Sequence, residues 1–65
     1  MKGKTIIIVL GQLDKKWIDR FEDIEISHEG IYSILTGNIK DESHLHGIIN
    51  LIRDLNLVLI SINPA

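Results

Sequence analysis

The hydrophobic positions change period along the chain, and each change marks an element. Thr5 to Leu10 is an unbroken β-branched and aliphatic run closed by Gly11, the pattern of a strand with both faces buried. Asp14 suits a helix N-cap. Leu13 and Ile18 stand where a hydrophobic staple would join, and Trp17, Ile18 and Phe21 fall at helical spacing against Lys15, Lys16, Asp19, Arg20 and Glu22. A short helix of about two turns over roughly 14–22 is predicted, with Trp17 and Phe21 plugging the core. Ile24 and Ile26 then alternate with Glu25 and Ser27, and His28-Glu29-Gly30 turns the chain into a second run over 31–36, a β-hairpin ended by Gly37-Asn38.

Asp41 caps a second helix over roughly 41–55, whose stripe is Leu45, Ile48, Ile49, Ile52 and Leu55. Asn56 suits the left-handed C-cap position, and 57–62 reads as a last strand stopped by Pro64. The order β-α-β-β-α-β, under the right-handed crossover rule, predicts an α+β fold: a ferredoxin-like two-layer sandwich over residues 1–65. Its four-stranded antiparallel sheet has order 4-1-3-2, with both helices on one face and a short first helix.

Composition sharpens that picture. Fourteen Ile and eight Leu among 65 residues exclude disorder and promise a core. At this length, however, a single core nets only about 3–5 kcal/mol. Placed on strands, the aliphatics exceed what one covered face can hold. Ile6, Ile8 and Leu10 oppose Ile7 and Val9 in the first strand, Leu57 and Leu59 oppose Val58, Ile60 and Ile62 in the last, and Ile31 and Leu35 oppose Tyr32 and Ile34 in the third. Four strands ~4.8 Å apart present on the order of 300 Å² in projection, the scale at which an exposed apolar patch marks an interaction site. The expectation is a homo-oligomer, most simply a homodimer. It would pack sheet on sheet or join β4 edges, with Ile7, Val9, Val58, Ile60 and Ile62 at the interface.

Charge and residue chemistry remove other classes. No cysteine is present, so disulfide scaffolds, thiolate metal sites and thiol nucleophiles are excluded. A net charge of −2 with basic residues scattered singly or as Lys15-Lys16 lacks the basic stripe of a nucleic-acid binder. The run after Met1-Lys2-Gly3-Lys4 is too short for a signal peptide and is followed by no small-residue cleavage site. No apolar stretch approaches the roughly 20 residues that span a bilayer, which leaves no membrane role and makes the cytoplasm the expected location.

Among the three histidines, His44 and His46 stand two apart on the second helix and so point about 200° from one another, which argues against a shared metal ion. His44 shares a flank with Ile48, Leu51 and Leu55; His46 lies near Glu42, Ile49 and Arg53; His28 is expected in solvent at the hairpin tip. Gly47, mid-helix, costs roughly 0.8–1 kcal/mol against Ala, so another group should approach closely there. With no glycine-rich phosphate loop and hydroxyls only in strands or at a cap, the expectation is a non-enzyme with no cofactor and no metal.

The series Gly11-x-Leu13-Asp14-x-x-Trp17-x-x-x-Phe21, Leu35-x-Gly37, Asp41-x-x-x-Leu45-His46-Gly47 and Ile52-Arg53-Asp54-Leu55 resembles a group of short uncharacterised prokaryotic proteins. The sequence departs from that pattern at Glu42, where Gln is commoner, and at His44, commonly a small apolar residue. The resemblance singles out His46, Gly47 and Arg53 as candidate ligand-binding positions and implies no activity. In element order the chain is also similar to ACT-type regulatory modules, which bind small effectors where paired sheets meet, although the glycine-rich turn before their first helix is not evident here. Two functions follow as expectations: a homo-oligomeric interaction module, and a small-ligand regulatory domain with its site at a subunit interface.

Overall fold

A computed structural model describes residues 4–19, 21 and 23–64. Its elements are β1 (Lys4–Leu10), α1 (Lys15–Ile18), β2 (Ile24–Glu29), β3 (Tyr32–Asn38), α2 (Glu42–Asp54) and β4 (Val58–Pro64). The sheet order is β2-β3-β1-β4, and every neighbouring pair is antiparallel. This is the predicted α+β sandwich in element order and in strand order.

The core lies between the helices and one face of the sheet. Ile7 and Val9 of β1 and Leu35 of β3 meet Ile18 of α1 and Ile48, Leu51 and Ile52 of α2, with Leu13 and Ile39 from the connections closing the ends. Strand periodicity then fixes the opposite face: Lys4, Ile6, Ile8 and Leu10 of β1 alternate with the buried set and point away from the helices.

α2 forms where the pattern predicts, but its buried positions are Ile48, Leu51 and Ile52: Leu51 takes the inward place expected of Ile49, which stays outside the core. Asp41 caps it, its side chain accepting from the His44 N–H at 2.8 Å, and the chain leaves through Asn56 at φ 59°. There the Leu57 N–H returns to the Ile52 carbonyl at 3.0 Å.

α1 is shorter than predicted. It is a single turn capped by Asp14, whose side chain accepts from the Lys16 N–H at 3.1 Å. Arg20 and Glu22 of the predicted helix lie outside the described residues. One turn offers one inward position, and Ile18 takes it. Trp17 therefore does not plug the core as expected: it is 39% exposed, with the Lys16 ammonium 5.4 Å from its ring centroid. The chain turns after Ile18 so that Phe21 can reach α2, where its ring lies 5.9 Å from that of His44.

Two strand ends also differ from expectation. β3 runs through Gly37 to Asn38, because Gly37 pairs with both Thr5 and Ile24, and the Asp23 carbonyl occupies the space a Cβ would need. β4 runs on to Pro64, opposite Thr5, which is possible because β4 is an edge strand whose outer side needs no donor.

Candidate functional site

The water-facing side of the sheet is the largest feature left unexplained by the core. Its residues follow from the register. Glu29, Tyr32, Leu10 and Val58 form one row across the four strands. Ser27, Ile34, Ile8 and Ser61 form the next, and Glu25, Thr36, Ile6 and Asn63 the third. The middle of this face is aliphatic and aromatic; the carboxylates sit only along β2. Ile8, Tyr32, Ile34 and Ile60, with Glu29, line a shallow depression of about 280 Å³. Val58 and Ile60 are 54% and 50% exposed, while Ile6, Ile8 and Ile34, inside the sheet, are half-buried by their neighbours.

This placement corrects the expected interface set. Ile7 and Val9 are fully buried beneath the helices and are not available to a partner. On β1 the outward set is Ile6, Ile8 and Leu10, of the same parity as Lys4, a lysine whose charge belongs in water and which could have fixed the choice from the sequence. On β4 a register shift lies between Ile8 and Val9, so Val9 faces Leu59 while Ile8 faces Ser61, and Ile60 is the extra residue. The extra residue reverses the alternation. Val58 and Ile60 therefore face outward as expected, whereas Ile62 pairs with Ile7 and packs against the core.

The second candidate set is divided by α2. His46 and Arg53 lie with Ile49 and Asn50 along a shallow groove of about 360 Å³ on the water side. Gly47 turns the other way: a Cβ built on it would stand 3.4 Å from the Phe21 ring. The neighbour at this mid-helix glycine is Phe21, separate from the groove, and at ordinary contact distance it leaves room for a methyl, so the expected close approach does not by itself require glycine there.

The other histidines hold structure. His44 Nδ1 accepts from the Lys40 N–H at 3.2 Å. His28 is exposed near the hairpin tip, as expected, but it is also bonded. Paired with Ser33 across the hairpin, it reaches the Leu13 carbonyl with Nε2 at 2.8 Å. A carbonyl can only accept, so Nε2 carries the hydrogen. Beside it the buried Ser33 hydroxyl donates to the Gly11 carbonyl at 2.6 Å and accepts from the Leu13 N–H at 2.9 Å. Gln12 Nε2 donates to the Gly30 carbonyl at 2.9 Å, and the Gly11 N–H to that of Ile31 at 2.7 Å. These bonds lash the β1–α1 connection to the β2–β3 hairpin and satisfy its polar groups locally.

Among the described residues, no group of three or more His, Asp or Glu is placed to hold a metal ion, and no buried side-chain nitrogen or oxygen lacks a hydrogen-bond partner. No helix among them is long and apolar enough to cross a membrane.

No curated protein and no solved structure matches the chain. One family model does, over residues 5–63, from the start of β1 almost to the end of β4 and including the lashed connection and both helices. The chain belongs to that family, a domain of unknown function (DUF8691).

Proposed function

We propose that the protein is a non-enzymatic, homo-oligomeric interaction module in which a second copy covers the open face of the sheet. The observation that carries this reading is the row structure of that face: Tyr32, Val58 and Ile60 exposed, with Leu10, Ile8 and Ile34 half-buried between them, form an apolar surface where a two-layer sandwich would ordinarily place polar side chains. A second copy suits the face because its centre carries no charge, so two such centres meet without opposing like charges. The carboxylates of Glu25 and Glu29 at its margin disfavour nucleic acid and acidic lipid surfaces. Small-domain energetics point the same way, since a core of this size leaves little stability in reserve.

Analytical ultracentrifugation at low micromolar concentration tests the reading. The wild type is expected as a folded oligomer, and Tyr32→Lys, which puts an ammonium into the centre of the face, is expected to lower its association state while keeping its circular dichroism. A folded, heat-stable wild-type monomer would overturn it.

A second reading rests on the groove along α2. His46, Asn50 and Arg53 offer donors to a small anion, as an ACT-like regulatory domain would, though the groove is open and built from one helix. A thermal-shift screen against amino acids and nucleotides separates the two: a shift abolished by Arg53→Ala supports a ligand, and no shift with any compound removes it.

A further inference from the structure

The two edges of the sheet differ in a way the open face alone does not explain. β2 carries Glu25 and Glu29, and charge of this kind keeps an edge from pairing with another strand. β4 is Val-Leu-Ile-Ser-Ile-Asn-Pro and carries no charge at all. Its apolar exposure is also two-sided. Val58 and Ile60 face the open side, whereas Leu59, paired with the buried Val9, points to the helix side and is still 37% exposed. A partner lying on the open face reaches Val58 and Ile60 but not Leu59. Only a strand running alongside β4 covers part of all three and pairs the backbone groups that an edge strand leaves free.

We infer that β4 pairs antiparallel with β4 of a second copy, joining two sheets into one of eight strands. A copy is the occupant these features select. Antiparallel pairing about a twofold axis makes an uncharged strand self-complementary, and it closes, because the outer edges of the joined sheet are then the charged β2 strands. Pairing β2 with β2 would bring glutamates together, and pairing β4 with β2 would leave open ends that propagate. Area supports a second contact. The open face measures roughly 300 Å² in projection by strand spacing, against about 800 Å² of accessible surface per partner in a standard interface. The edge contact goes beyond the face-on reading; with both, two perpendicular twofold axes assemble four chains.

Light scattering coupled to size exclusion, on the full chain, distinguishes the two contacts. The wild type is expected at the mass of four chains, and Leu59→Lys, which touches the edge and not the open face, at two. Tyr32→Lys, which touches the face and not the edge, is also expected at two. If Leu59→Lys folds and keeps the wild-type mass, the edge pairing is overturned. If Tyr32→Lys keeps the wild-type mass while Leu59→Lys lowers it, the face-on reading fails and the edge pairing stands. Should Leu59→Lys not fold, hydrogen exchange of the wild type decides. A paired β4 protects the amides that point away from β1 as well as those that point toward it, Ile60 at the bulge aside, and fast exchange at the outward-pointing amides overturns the proposal.

Discussion

His28 Nε2 donates to the Leu13 carbonyl at 2.8 Å across fifteen residues of sequence. The hairpin tip thereby holds the connection between the first strand and the first helix. A single hydrogen bond at a part-buried site nets about 0.5–1.5 kcal/mol. His28→Ala is expected to lose that much in a urea titration, and His28→Gln, which keeps a donor amide near the same height, less. Equal losses for the two variants would mean that ring packing, and not the donor, is what matters.

Ser33 beside it is buried and bridges Gly11 and Leu13. Ser33→Ala removes both partners from a site closed to water, so the cost rises to about 1–3 kcal/mol. Against the few kcal/mol available to so small a core, this is enough to lower the melting temperature by several degrees. Calorimetry checks it; a melting temperature within a degree of wild type would show that water replaces the hydroxyl.

The glycines on β3 and α2 should respond oppositely to alanine. At Gly37 the Asp23 carbonyl stands where the methyl would go, and backbone there cannot give way cheaply. Gly37→Ala is expected to unfold the end of the β2–β3 pairing. At Gly47 the methyl would meet the edge of Phe21 at 3.4 Å, an ordinary contact. Helix propensity favours alanine there by about 0.8–1 kcal/mol. Gly47→Ala is expected to be neutral to stabilising in thermal denaturation, and Gly47→Leu, which would displace Phe21, destabilising.

Trp17 and Ile48 invert the usual ranking of aromatic over aliphatic. Ile48→Ala is expected to cost about 2–5 kcal/mol, because the side chain is fully buried. Trp17→Ala should cost less than Ile48→Ala because Trp17 remains 39% exposed. As the chain holds one tryptophan, its fluorescence reports directly on this: red-shifted emission readily quenched by acrylamide is expected.

Element order, strand order, the Asp41 cap and the left-handed Asn56 were legible in the sequence because each rests on local chemistry. Alternation marks strands, a carboxylate three residues ahead of an N–H makes a cap, and connection rules leave few topologies. The candidate sites were legible only in part. The excess of aliphatics pointed to a second apolar face, and His46 and Arg53 do share a groove. The choice between Ile7/Val9 and Ile6/Ile8/Leu10 as the outward set was not settled by their equal hydrophobicity.

By itself, then, the sequence determined that this chain forms a two-layer α+β sandwich with more apolar strand surface than two helices can cover, since composition and periodicity are properties of the chain. Tertiary structure decided which residues that excess falls on. A single extra residue at Ile60 turns Ile62 inward and leaves Val58 and Ile60 in water. A one-turn α1 leaves Trp17 outside, and the turn after Ile18 brings Phe21 onto α2 beside His44 and Gly47. Each depends on which elements come to lie together in space, and no local period along the chain encodes that.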